Sequence, residues 1–437
     1  MRECSKQEYM KNFQIIVLVI FIVAAVIGVL VFSGAIPLGT DKNENLGTVV
    51  VWGTIPTQLI ASPLKDFNDT NKNVNVTYIQ KSADTFDQDL LEALASGIGP
   101  DLFFLPSDLE YHYANKIFTI PYTNYPLDTF KGVFAGAGEV FLTSKGIIAF
   151  PLYIDPLVMY YNRNMFDAGN IVYPPATWSD LINMIPSLTA KDPTNKIIKS
   201  AVAMGHYSNV DHAKDILTTL FMQAGNPILR EENGIVKPTL DSNIGNYNLP
   251  SILQFYTSFA DPNNAVYSWN KSFPDSMDVF SREDLAIYFG YGSELASLIN
   301  KNPNQNFFIA PMPQIKGSNF KLTGAKVTGV AISSGTKNMN GAFTVASLMA
   351  NSDFAYKVAT ALNVAPARRD LLALKPTDAY APTLYSSALY AKGFADPSPK
   401  DTDNIWRGMI EAVLSNAMSP MDAVKDANTK LNLLLIR

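Results

Sequence analysis

Two different hydrophobic patterns run along the chain. Ile15 to Phe32 is a run of 18 uncharged, almost wholly apolar residues with no polar stripe. An α-helix of that length, rising 1.5 Å per residue, spans about 27 Å, close to the ~30 Å of bilayer hydrocarbon. Arg2, Lys6 and Lys11 precede it, which by the positive-inside rule holds the N-terminus in the cytoplasm. The pattern predicts a cytoplasmic tail over 1–12, a single transmembrane anchor over 13–33 and an extracytoplasmic remainder at the cell membrane. A cleavable signal peptide is the rival reading. Its apolar core is shorter, about 7–15 residues, although Ser33, Gly34 and Ala35 would suit cleavage. Residues 34–46 are polar and rich in Gly, Asn, Asp and Lys, the composition of a flexible tether.

The second pattern begins at Thr48. The β-branched run over 48–52 reads as a buried strand and is followed by a helix over 57–68. Val, Val and Tyr alternate with polar residues over 73–80, a second strand. Phe86, Leu90, Leu91 and Leu94 share one face of a helix over 84–96 that Gly97 ends, and Leu102 to Leu105 is a third strand. Strand and helix in alternation imply βαβ units and a parallel sheet covered on both faces. The alternation continues with strands over 146–150, 157–161, 201–204, 307–311 and 329–333. Helices are predicted over 179–188, 211–224, 251–259, 277–280, 294–300, 340–350, 352–362, 406–416 and 420–434. Pro186 should kink or shorten the first of these. No repeat of 20–50 residues recurs.

Composition narrows the chemistry. With 34 Lys+Arg against 39 Asp+Glu the net charge is −5, so no basic face for nucleic acid is expected. The single Cys, Cys4, excludes a disulfide framework and a multi-Cys metal site, and it precedes the apolar run, so it cannot be the lipid-modified cysteine of a lipoprotein. His206 and His212 lack the spacing that puts two imidazoles on one helix face. No cofactor, no metal and no catalysis are expected.

Several ordered segments carry a family likeness. ALASGIGPDLFFLPSD over 93–108, IIAFPLYIDPLVMYYNRNMFDAG over 147–169, YPPATWSDLI over 173–182, FSREDLAIYFGYGSEL over 280–295, FFIAPMPQIKG over 307–317 and AFTVASLMANSDFAYKVA over 342–359 follow one another at characteristic spacing. Together they resemble the family 1 extracellular solute-binding proteins, the maltose-binding type that serves ATP-binding-cassette importers. The resemblance covers 47–437. It implies the α/β, two-lobed, periplasmic-binding-protein-like fold of type II, closing by a hinge on a solute in the cleft. The first lobe is expected over 47–155 and 315–361, the second over 156–314 and 362–437, with crossovers near 153–157 and 312–315. The implied partners are a small solute, expected to be a sugar or oligosaccharide, and a membrane permease; a monomer is expected. Two departures stand out. Arg282-Glu283-Asp284 replaces the usual small-residue turn, and 323–327 lacks the aromatic residue common before the return strand of sugar-binding members.

Ligands of open α/β sheets sit outside the carboxyl ends of strands. That rule selects Trp52, Asp108, His206 and Asn209, and the first crossover adds Tyr153 and Asp155. Trp269 lies in a loop without periodicity and reads as a stacking platform, and Tyr291 is flanked by two glycines. Carboxylates accept from sugar hydroxyls, and flat rings cover sugar C–H faces. Each residue has a plainer reading: Trp52, Trp269 and Tyr291 as core, Asp108 as a helix cap, His206 as an ordinary surface histidine. Asp211 reads as a cap and Trp178 as packing beneath its helix. Other functional classes remain open. One is an extracellular carbohydrate-active enzyme using Asp108 and Asp155 as a carboxylate pair. The others keep the fold but bind a polyamine, or a metal through Tyr160-Tyr161.

Overall fold

The computed structural model describes residues 45–232, 234–242, 244–245 and 247–435. The expected tail and anchor, and nearly all of the tether, lie outside these residues. Among the described residues no helix is long and apolar enough to cross a membrane.

The frame is one mixed sheet of 11 strands. Its principal strands are β1 (Thr48–Gly53), β2 (Asn75–Gln80), β3 (Leu102–Pro106), β4 (Phe150–Asn162), β5 (Ile197–Val202), β6 (Leu285–Tyr291), β7 (Phe307–Pro311) and β8 (Thr323–Ile332). β1 is flanked in parallel by β2 and β3. β8 runs antiparallel to β3 on one side and to β4 on the other. β4 then pairs antiparallel with β6 and β7, and β6 parallel with β5. Two α/β lobes result, one around β1–β3 and one around β5–β7. β4 and β8 carry the chain between them. Val49, Val51, Leu102, Phe103 and Leu105 are fully buried in the first lobe, which is why this β-branched and apolar run forms strands. The helix Ser352–Leu362 closes that lobe against Thr57–Thr70 through the edge contact of Phe67 and Phe354 at 5.6 Å. Pro399–Leu414 and Pro420–Leu435 pack on each other and on Leu249–Ser258 in the second lobe.

Four expectations need correction. The strands expected over 146–150 and 157–161 are instead the short strand Gly146–Ile147 and the single 13-residue β4. Pro156 does not interrupt β4, because it stands where pairing with β8 ends and pairing with β6 begins at Leu157; a missing N–H matters least at such a handover. The return crossing lies in β8, not near 312–315. Gln314 N–H donates to Ala176 O at 3.0 Å and Gln223 Nε2 to Leu322 O at 2.9 Å, which ties 314–322 to the second lobe. Conversely, Ala365–Pro366 pairs with Tyr153 and Ile154, and Ala135 N–H donates to Ala367 O at 2.9 Å, so this stretch sits with the first lobe. Finally, Trp178–Leu188 runs through Pro186, which falls in its last turn. A capping box between Thr177 and Asp180 starts that helix, and Trp178 donates to Gln223 Oε1 at 2.7 Å beneath it.

Candidate ligand site

Where the lobes meet, titratable side chains from five elements converge. Asp108 follows β3, Tyr153 and Asp155 stand on β4, and Lys326 stands on β8. From the second lobe come His212 and Asp215, at the start of the helix Ala213–Gln223 that follows β5, and Tyr291 and Glu294 at the end of β6. Asp108, His212 and Asp215, and Tyr291 and Glu294 follow or close strands, where side chains are free to face a crevice, whereas Tyr153, Asp155 and Lys326 lie within the paired crossing strands β4 and β8.

The second-lobe wall is built around Glu294. Its Oε2 accepts from Tyr288 OH at 2.9 Å and from Tyr291 N–H at 3.0 Å, and its Oε1 lies 2.6 Å from His212 Nε2. His212 Nδ1 lies 3.6 Å from Asp215 Oδ2. The imidazole thus bridges two carboxylates. Burial pulls its pKa down, but the bonds and charges of Asp215 and Glu294 outweigh this and raise it to about 9, so it is a cation at neutral pH. His212 holds φ at +59°, left-handed backbone that a β-carbon disfavours. That turn aims the ring back at Glu294. Tyr160 OH donates to Tyr291 O at 2.6 Å and fixes the backbone behind the tyrosine.

Asp155 and Asp108 are less fully satisfied. Asp155 Oδ1 accepts from Ser293 N–H at 3.1 Å, and burial pushes its pKa up to about 6 against the pull of Ser293 and Lys326. Burial likewise raises Asp108, opposed by the charge of Lys326. Gly292 permits this closeness, since a Cβ there would lie 3.3 Å from Asp155 Oδ1 and 2.7 Å from a methyl of Leu384. Lys326 is open to solvent, yet the charges of Asp215, Asp108, Asp155 and Glu294 outweigh its partial desolvation and raise its pKa. Its ammonium lies 4.7 Å from the centre of the Tyr291 ring. Four carboxylates therefore face two cations, beside the rings of Tyr153 and Tyr291. Such a surface offers acceptors in excess of donors beside the half-buried ring of Tyr153, while the Tyr291 ring is 4% exposed and lies against the Lys326 ammonium and the His212 ring.

Of the residues singled out in the sequence, Asp108, Tyr153, Asp155 and Tyr291 come together here. Trp52 closes β1 with its ring almost covered and the Lys81 ammonium 3.9 Å from its centre. Trp269 is a correction. It is 0% exposed and stacks on Phe273 at 4.6 Å and 20°, so no ring face is free for a ligand. Asn209 belongs to the same knot: its Oδ1 accepts from Trp269 Nε1 at 3.1 Å while its Nδ2 donates to Asn270 O and Phe273 O. His206 is buried; its carbonyl accepts from Tyr256 OH at 2.9 Å, and burial lowers its pKa to about 4. Asp211 does not cap by side chain but ties Ser276 and Met277 to its loop. Tyr160 and Tyr161 cannot share a metal, because neighbouring strand residues point to opposite faces. Tyr160 packs against Phe280 and Phe307, Tyr161 against Phe166 and Phe308. The sequence reading missed Lys326, His212, Asp215 and Glu294.

The fold has relatives. The pattern of the family described as bacterial extracellular solute-binding protein matches residues 54–355, more than half of the chain, and the chain belongs to that family. The cyclic alpha-maltosyl-1,6-maltose binding protein of Arthrobacter globiformis shares the fold with a TM-score of 0.74 and 15% identity, over 89% of this chain and 98% of that one. The sugar-binding protein MalE of Xanthomonas citri does so with a TM-score of 0.73 and 15% identity, over 89% and 97%. A binding protein of Brucella abortus is 24% identical over 151 residues, which is 34% of this chain and 36% of that relative's own length. The two-lobed fold expected from the sequence is thus the fold the chain has.

Proposed function

We propose that this chain is an extracytoplasmic receptor that closes its lobes on a carbohydrate and presents it to an ATP-binding-cassette importer, held at the membrane by its N-terminal apolar run. The observation that carries the reading is the convergence of Asp108 from one lobe with Asp215 and Tyr291 from the other, around Tyr153, Asp155 and Lys326 on the connecting strands. A ligand favours closure only by its differential affinity for the closed state, and groups from both lobes give it that difference. Carboxylates with spare lone pairs suit hydroxyl donors, and the fold neighbours of Arthrobacter and Xanthomonas are named for maltose-type and sugar binding. The membership of the chain in a family of binding proteins supports a receptor over an enzyme.

The test is calorimetry of the purified full-length chain with malto-oligosaccharides, cyclic glucans and mannobiose. Saturable heat without conversion of the sugar is expected. Asp155→Asn should weaken binding by about tenfold or more, since a hydrogen bond to a charged group contributes about 1.5–3 kcal/mol, and Tyr291→Ala should weaken it too, by removing the ring that lies against Lys326 and Asp215. Affinity should also fall below pH 6, where Asp155 takes up a proton. Binding indifferent to both substitutions would remove this cleft as the site. The anchor has its own check: the membrane-bound protein should retain Met1, and a mature terminus near Ala35 would overturn the uncleaved span.

A further inference from the structure

The cleft is not electrically balanced. On its second-lobe wall one imidazolium serves two carboxylates, with His212 Nε2 2.6 Å from Glu294 and Nδ1 3.6 Å from Asp215. Lys214, next to Asp215 on the same helix, brings no spare charge, because its ammonium is bound to Asp396 at 2.9 Å. Asp108 and Asp155 have no such partner: among the described residues neither forms an ion pair. Asp155 is bound by Ser293 alone, a neutral donor. Asp108 is half-buried and so open to a ligand, and no other described residue donates to it. It feels the charge of Asp215 from the other lobe, so its carboxyl looks across the cleft and not into the first-lobe core. Lys326 acts on both carboxylates through its charge, yet it is exposed and lies over the Tyr291 ring at 4.7 Å. Four carboxylates against His212 and Lys326 leave two negative charges unanswered.

That imbalance matters when the lobes close. Taking a charge out of water without an opposite charge is costly, and burial already raises the pKa of both Asp108 and Asp155. A hydroxyl donor offsets part of the cost. A cationic donor offsets more, since charge-assisted hydrogen bonds are roughly twice as strong as neutral ones. Stacking offers little in exchange: Trp52, Trp269 and Tyr291 are buried, and of the candidate rings only Tyr153 is half-buried.

We propose that the preferred ligand of this cleft is an amino sugar, a carbohydrate whose primary ammonium is held by Asp108 and Asp155 while its hydroxyls meet the remaining acceptors beside the ring of Tyr153. The inference rests on the carbohydrate reading above and narrows it.

The test compares sugars that differ at one substituent. Glucosamine is set against glucose and N-acetylglucosamine, and the glucosamine disaccharide against cellobiose and its N-acetylated form, each titrated into the full-length chain at pH 7. In at least one set the amine is expected to bind about tenfold or more tighter than its hydroxyl and acetamide counterparts. Asp108→Asn with Asp155→Asn should bring the amine down to their level. Where that pair binds nothing, Lys326→Gln decides, since removing a competing cation should enlarge the preference. A melting curve on each variant confirms that it is folded. Neutral sugars, malto-oligosaccharides included, bound as tightly as every amine would overturn the inference and leave the carbohydrate reading standing. No sugar bound at all, or putrescine bound as tightly as the best amino sugar, would overturn both. A preference that survives the paired Asn substitutions, or shrinks in Lys326→Gln, overturns the inference as well.

Discussion

Trp269→Ala is expected to destabilise the chain by about 3–5 kcal/mol while leaving ligand affinity per folded molecule unchanged. The first part follows from burial. A fully enclosed indole loses its transfer free energy and leaves a cavity that the surroundings fill only in part. Trp269 is 0% exposed and its stack on Phe273 goes with it. The indole N–H is also the donor to Asn209 Oδ1, and a buried acceptor left unpaired adds a penalty of about 1–3 kcal/mol unless water reaches it. The second part follows from position. The polar contacts of this knot run to Asn209, Asn270 and Phe273, not to Asp108, Asp155 or Tyr291. Urea unfolding and calorimetry on the same variant decide the matter. A near-wild-type midpoint with weakened sugar binding would put the ring back at the ligand.

Trp269 also shows where reading a sequence runs out. A large aromatic in a stretch without period looks available, but Phe273 covers its face and the partner of its indole N–H, Asn209, lies 60 residues earlier in the chain. Local patterns fared better. The run over 48–52 and the apolar period over 352–362 became the strand and helix they suggested, because the strand is covered on both faces and the helix buries the single face of Phe354, Ala355, Val358 and Ala359. Asp108 was legible from the rule that crevices form at strand ends, Asp155 from its place at the expected crossover, and Tyr291 from its two flanking glycines. Lys326 was hidden by the length of β8. Two glycines in TGAKVTGVAI disguise a strand, yet each has a reason to be small: a Cβ on Gly329 would lie 2.8 Å from Ala149 Cβ, and one on Gly324 would strike Thr219. His212 and Asp215 were read as the opening of a helix, which they are. Their second role depends on a left-handed turn at a histidine, and no pattern in the chain announces one.

Between pH 5 and pH 9 the chain should lose stability that the Glu110→Gln variant keeps. Glu110, on the short helix Glu110–Tyr113, is 8% exposed with its Oε2 unpaired among the described residues, and burial raises its pKa from 4.5 to about 8. In the folded state the carboxyl keeps its proton to near pH 8, while the unfolded chain releases it near pH 4.5. The folded state therefore binds more protons across this window, and stability falls as pH rises. The contribution is fully present below the unfolded value and is lost as pH rises through the folded one. The shift corresponds to a loss on the order of 4 kcal/mol for a group this enclosed. Glu139, Arg230, Glu231 and Lys392 line one pocket with Glu110, yet burial alone sets the shift. Gln cannot titrate, so its variant should match the parent near pH 5 and exceed it near pH 9. Other shifted groups, including Asp155 and His212, are common to both proteins and cancel in the difference. The measurement is urea unfolding of both at pH 5, 7 and 9. Parallel profiles would mean that Glu110 ionises at little cost, which requires water or a counter-charge at Oε2 and so an acceptor already satisfied.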